Sequence, residues 1–200
     1  MFDLVSIIEL SGYFGLFLIV FAESGLFFGF FLPGDSLLFT AGFLASQGYF
    51  PIMPLALMLF VAAVAGDAVG YAFGRKVGPR IFSRPESSFF KPSHIEKTTA
   101  FFDKYGAKTI FLARFVPIIR TFAPIMAGVG GMKYRIFARY NVVGGFFWAV
   151  GLTFLGYVFG QSIPDADRYI LPIVALIIVI SFIPPLLEYW KERKNRGPIV

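Results

Sequence analysis

Three stretches of this chain, residues 36–66, 140–164 and 169–187, contain no charged side chain. A helix needs about 20 predominantly apolar residues to cross the hydrocarbon of a bilayer, so each stretch is long enough to span at least once. The composition points the same way. Only 15% of the residues are charged, against about 25% in an ordinary soluble domain, and 27 phenylalanines are too many for a surface facing water. The expected fold class is all-α integral membrane, with residues 1–200 as a single domain. The N-terminal sequence MFDLVSIIEL is acidic and lacks the positive region of a signal peptide, so the first apolar segment is expected to be retained.

Against this background the charges inside apolar segments stand out. Glu23 and Asp35 lie in one such segment, with Pro33 and Gly34 just before the aspartate. Arg114 and Arg120 lie in a second, with Pro117 between them. A charge at mid-membrane costs roughly 2.5–3.5 kcal/mol on insertion scales, so such residues mark function by default. Proline lacks a backbone donor and glycine favours turns, so both segments should be broken helices. For the first, residues 12–32 followed by the short run 36–46 fit a re-entrant hairpin. One complete helix plus an interfacial segment remains the other reading, because 21 residues can span. The second broken unit, residues 109–132, is divided by Pro117 and Pro124 and has basic residues on both flanks, which fits a hairpin that enters and leaves on one side.

The remaining organisation follows from charge. Residues 75–108 carry eight Lys and Arg against three acids, and the tail at 190–200 is basic. The positive-inside rule therefore places both in the cytoplasm. Within that loop Ser93 and Glu96 have capping-box spacing. Ile95, Thr99, Phe102 and Tyr105 then follow helical spacing, which predicts a short amphipathic surface helix; His94 reads as a solvated residue at its start. Residues 53–74 should form a first full helix, 140–160 a second running the other way, and 169–189 a last one returning to the tail. Gly66, Gly70, Gly74 and Gly78 share one helix face, a packing seam that lets helices approach closely. Asp67 and Tyr71 share an adjacent face, with Asp67 expected as a structural ion-pair or hydrogen-bond partner about two turns from Arg75. The run Gly70-Tyr71-Ala72-Phe73-Gly74 recurs 86 residues later as Gly156-Tyr157-Val158-Phe159-Gly160. With two broken hairpins and opposite orientations, this predicts an inverted repeat, the architecture of many transporters.

The chemistry open to the chain is bounded by what it lacks. With no cysteine and a single histidine, thiol catalysis, disulfides and Cys or His metal centres drop out. No hydrolase, metalloprotease or nucleotide-loop motif is present, so neither an enzyme nor a cofactor is expected. The net charge of +6 reads as cytoplasmic loop charge, not a nucleic-acid surface. Arginine stays protonated and grips phosphate or carboxylate with a planar fork. Arg114 and Arg120, on opposite limbs of one hairpin, could converge on one anionic head group. Glu23 and Asp35 could exchange protons during a cycle, or could simply neutralise the arginines as buried ion pairs.

These motifs, in this order, resemble the DedA family of membrane proteins, bacterial relatives of the eukaryotic VTT-domain scramblases. The resemblance rests on Glu23 with Pro33-Gly34-Asp35 and on Gly66-Asp67-x-x-Gly70-Tyr71-x-x-Gly74-Arg75-x-x-Gly78. It rests equally on Arg114-Phe115-x-Pro117-x-x-Arg120-Thr121-x-x-Pro124 with Ala127-Gly128, and on Asn141, Gly145, Trp148 and Gly156-Tyr157-x-x-Gly160. It covers roughly residues 10–160. The resemblance implies two facing re-entrant hairpins and transport of undecaprenyl phosphate across a bacterial-type cytoplasmic membrane, driven in some members by proton or sodium gradients. It maps the family's acidic pair onto Glu23 and Asp35 and its arginine pair onto Arg114 and Arg120. Pro33, Gly34, Asp67, Tyr71, Pro117 and Thr121 are expected to support them. The expected partner is then a membrane lipid, a polyprenyl phosphate. A proton-coupled antiporter of small solutes and a non-transporting membrane scaffold are the competing readings. A side opening to lipid would favour lipid cargo, and tight packing around the charges a scaffold.

Overall fold

The computed structural model describes residues 4–25, 34–82 and 104–163. The last predicted helix at 169–189, the basic tail and nearly all of the predicted surface helix lie outside the described residues. So do Pro33 and His94. Among the described residues every regular element is helical: α1 (Leu4–Gly25), α2 (Gly34–Ser46), α3 (Ile52–Phe82), α4 (Lys108–Ala113), α5 (Pro117–Val129), α6 (Tyr134–Gly145) and α7 (Gly151–Gln161). A five-residue π-helical segment, Phe146–Val150, joins α6 to α7.

The boundaries have local causes. Gly48, at φ +85°, turns the chain between α2 and α3, a conformation open to glycine without strain. Pro117 opens α5, where its missing donor costs nothing. The end of α5 is a Schellman motif. Gly131 sits at φ +71°, its N–H bonds the Gly128 carbonyl at 3.2 Å, and the Met132 N–H bonds the Ala127 carbonyl at 3.0 Å.

Two helical stretches, Ile52–Gly78 and Tyr134–Gln161, are long and apolar enough to cross a membrane. Both reach further than the sequence suggested. The first continues into the residues assigned to the polar loop, because Gly74 and Gly78 lie packed against α5 and are not at a helix end. The second begins six residues early, so Arg135 and Arg139 ride on the helix itself. Pro124 does not divide the second unit. It lies inside α5 and removes only the bond that its nitrogen would have donated to the Arg120 carbonyl. Large apolar side chains stand exposed along both stretches, among them Met53, Leu57, Phe73, Phe147, Leu155 and Val158. Hydrocarbon accommodates such a surface; water does not.

The packing has a reciprocal pattern. Counting α1–α3 as one unit and α4–α7 as the other, α1 packs on α3 and α4 on α6, each within its own unit. The second short helix of each unit crosses over: α2 lies on α7, and α5 lies on α3. Glycines make both crossings possible. A Cβ on Gly42 or Gly156 would fall on the carbonyl of Thr153 or Phe39, and one on Gly128 or Gly74 on that of Tyr71 or Ile125. Gly42 and Gly128 are 86 apart in sequence, as are Phe39 and Ile125. Gly74 and Gly156 are 82 apart. The long helices are thus one turn out of step with the recurring Gly-Tyr motif, so matching sequence does not mark the matching contact.

Gly156→Val is expected to lower the melting temperature of the detergent-solubilised protein sharply, since overpacking a tight contact costs about 1–3 kcal/mol or more. Gly151→Ala, at a position where no neighbour lies within 4 Å, is expected to leave it nearly unchanged. Equal melting of the two variants would show that the seam does not govern stability.

Candidate functional site

The break between α4 and α5 sets the positions of both arginines. Arg114 caps the end of α4, and its N–H bonds the Phe111 carbonyl at 3.3 Å. Val116 is extended, Pro117 restarts the helix, and Arg120 sits one turn later, with its N–H on the Val116 carbonyl at 2.9 Å. The two guanidinium groups are therefore carried by different helices and reach different partners.

Arg120 joins the two units. Its Nη1 donates to Asp35 Oδ1 and its Nη2 to Glu23 Oε1, so one planar fork holds a carboxylate from α2 and another from α1. The backbone of Gly34 closes over the same place. Its N–H interacts with the Glu23 carboxylate, and a Cβ there would push that carboxylate out of its present position. Exposure grades across the cluster: the Glu23 side chain is 1% exposed, that of Arg120 12%, and that of Asp35 46%.

Arg114 is held elsewhere. Its Nη2 donates to Asp67 Oδ2 on α3 and to Asn141 Oδ1 on α6. Asn141 is oriented in turn by a 3.0 Å bond from its Nδ2 to the Val64 carbonyl. Gly144 and Gly145 open the slot: a Cβ on Gly144 would stand 2.9 Å from Arg114 Cδ, and one on Gly145 3.4 Å from Cζ. Arg114 is buried, and its Nε has no hydrogen-bond partner among the described residues.

Trp148 links the two clusters. Its Nε1 donates to Asp35 Oδ1 at 2.7 Å. Its ring centroid lies 4.8 Å from Cζ of Arg120 and 5.8 Å from that of Arg114, within cation–π range of both. Trp148 is placed by the π-helical segment, and such segments recur at functional sites.

A cavity of about 300 Å³ opens from this centre. Buried Arg114 and Trp148 and half-exposed Asp35 supply its polar lining, and Phe115, Phe147 and Leu155 much of its apolar lining. These three apolar side chains are exposed, and Phe147 and Leu155 belong to a helical stretch long enough to span a membrane. The lining thus combines charged and exposed apolar side chains.

Three of the four charges singled out in the sequence, Asp35, Arg114 and Arg120, thus meet at one tryptophan and Glu23 joins them through Arg120, with a change of partners. Glu23 and Asp35 both face Arg120; Arg114 faces neither, because Asp67 neutralises it. Asp67 is the ion-pair partner expected of it, though for Arg114 and not for Arg75. Thr121 is buried beside Arg120, and its hydroxyl has no partner among the described residues. Tyr71 is not at this centre. Its hydroxyl donates to the Met132 carbonyl and accepts from Arg75 Nη1 at 2.8 Å, so it secures the turn after α5. Asn141, Trp148 and Gly144 were not assigned to the site from the sequence. A lone amide and an indole N–H inside an uncharged run were the signal that could have found the first two, since a polar group in hydrocarbon needs a partner.

Residues 32–158 match the family described as the VTT domain. The chain is 46% identical over 181 residues to Protein DedA of Escherichia coli (strain K12), which covers 90% of this chain and 82% of that protein. It is 42% identical over 179 residues to an uncharacterized membrane protein of Mycobacterium leprae (strain TN), covering 90% and 80% respectively. Inner membrane protein YqjA of Escherichia coli (strain K12) is 33% identical over 195 residues, covering 92% of this chain and 87% of its own. No solved structure matches the chain.

Proposed function

This chain belongs to the DedA family of VTT-domain membrane proteins, and from that premise we propose that it translocates a polyprenyl phosphate, undecaprenyl phosphate, across a bacterial-type cytoplasmic membrane. The observation that carries the proposal is the cavity lined by both the charged side chains of Asp35 and Arg114 and the exposed apolar side chains of Phe115, Phe147 and Leu155. A lipid phosphate needs that combination: a place for an anion, and an open side through which the chain stays in hydrocarbon. A water-soluble substrate has no use for a lining of exposed phenylalanine and leucine. In this reading α1 with α2 and α4 with α5 are two facing re-entrant hairpins, and the C-terminal tail is cytoplasmic. No bond in the cargo is made or broken.

The resting pairs suggest how binding and release alternate. A phosphate entering the cavity competes with Asp35 for Arg120 and for the Trp148 N–H. Asp35 is the carboxylate to be displaced, because it is the half-exposed member of its cluster. In this reading the displaced carboxylate is the group that carries the proton. Return of the carboxylate to Arg120 expels the phosphate and releases the proton. Phosphate and proton movements are thereby linked through one guanidinium.

One observation favours a second reading, a membrane scaffold: all four charges already have partners. Carboxylate variants separate the two. Glu23→Gln and Asp35→Asn are expected to flatten the pH dependence of transport in proteoliposomes and to remove its response to an imposed proton gradient. Transport by both variants with the full pH profile and the full gradient response would make the carboxylates counter-ions only.

A further inference from the structure

The larger of the two cavities described, about 830 Å³, lies away from this centre, between α3 and the start of α6. Arg75, Lys76, Lys133, Arg135 and Arg139 line it, with Tyr71 in its wall and no carboxylate among its lining residues. The ion pairs among the described residues involve only Arg114 and Arg120, so none engages these five cations.

Their convergence is built by the fold. The Schellman turn at the end of α5 reverses the chain at Gly131, and the Met132 carbonyl is then pinned to α3 by the Tyr71 hydroxyl, with Arg75 Nη1 at 3.4 Å. Tyr71 is fixed in turn by stacking on Phe137, ring centroids 4.5 Å apart. This brings Lys133, Arg135 and Arg139 from α6 alongside Arg75 and Lys76 from α3. The first turn of α6 adds to the field. Lys133 at its N-cap provides no side-chain acceptor, so backbone donors at the positive end of the helix dipole open onto the same side. Positive-inside placement accounts for basic residues at a cytoplasmic helix end. It does not account for five of them around one cavity with an uncapped helix start.

We propose that this groove is a second binding site, for the phosphomonoester head group of an anionic lipid at the membrane surface. Five cations suit a doubly charged monoester better than a zwitterionic head group, and arginine and backbone donors suit phosphate oxygens. The exposed apolar side chains of the same helices, Phe73 and Val142 among them, leave the lipid chains in hydrocarbon. Tyr71 is one turn of α3 beyond Asp67, which places the groove next along that helix from Arg114. The site rests on the lipid-phosphate reading only for its place in a transport cycle; its binding chemistry stands alone.

The test uses the full chain purified in detergent and native mass spectrometry. The probes are phosphatidic acid, phosphatidylcholine and inorganic phosphate. Phosphatidic acid is expected to stay bound at about tenfold lower concentration than phosphatidylcholine, the effect of one or two charge-assisted contacts. The double variant Arg135→Gln/Arg139→Gln, both sites being exposed, is expected to lose that preference while melting at the wild-type temperature. Arg120→Gln is expected to keep the preference. Wild-type selectivity in the double variant, or loss of selectivity in Arg120→Gln alone, would overturn the groove as the site. Displacement of phosphatidic acid by millimolar inorganic phosphate would overturn the lipid assignment in favour of the soluble anion. Transport that fails while groove binding persists would refute only the transport reading.

Discussion

Arg120→Ala is expected to cut transport in proteoliposomes by about a hundredfold or more. Two charge-assisted hydrogen bonds are lost, each worth about 1.5–3 kcal/mol, and about 1.4 kcal/mol is a factor of ten. The loss reaches across the protein, because this one side chain holds α1 and α2 to α5. Arg120→Lys is expected to fail almost as badly. Lysine keeps the charge but offers a compact point donor, which cannot span Glu23 and Asp35 together or present two parallel donors to a phosphate. Near-normal transport by Arg120→Lys would mean that charge alone suffices, and the phosphate-gripping role would be wrong.

The second large effect falls on stability. Asp67→Leu leaves Arg114 buried beside an apolar side chain, and removing one partner of a buried pair costs about 3–5 kcal/mol. The yield and melting temperature of Asp67→Leu in detergent should fall accordingly. Arg114→Met added to Asp67→Leu should restore much of the stability, since neither charge then remains in the interior, but should not restore transport. Such a pair of results would separate what Arg114 does for the fold from what it does for the cargo. A double variant as unstable as the single would show that the Asp67 pair is not what holds Arg114.

How much of this was legible in the sequence depended on the kind of residue. The charges in apolar runs announced themselves by cost alone, and Glu23, Asp35, Arg114 and Arg120 do come together. Which acid meets which base was not legible, because it depends on α2 and α5 crossing to the opposite unit, and charge alone does not fix a crossing. Trp148 escaped for a related reason. An aromatic residue in a membrane segment reads as lipid contact until the structure places its N–H on Asp35. Helix ends were misjudged where packing overrode local signals: α3 runs on into the basic residues after Gly74 because its glycine seam continues against α5, and Pro124 looks like a break but lies within α5. The repeat was visible as Gly-Tyr motifs, yet the contacts repeat one turn away from them, at Gly74 and Gly156.

The proposed path for the lipid phosphate across the bilayer is the amphipathic cavity beside Arg114, Trp148 and Asp35. The most direct measurement reconstitutes the purified chain in liposomes containing undecaprenyl phosphate, with an inward-directed proton gradient, and follows the lipid's appearance in the opposite leaflet. Translocation is expected to run well above that of protein-free liposomes, faster with the gradient than without it, and to be abolished by Arg120→Ala. Translocation no faster than in protein-free liposomes, by a protein that retains its native melting temperature, would contradict the proposed path.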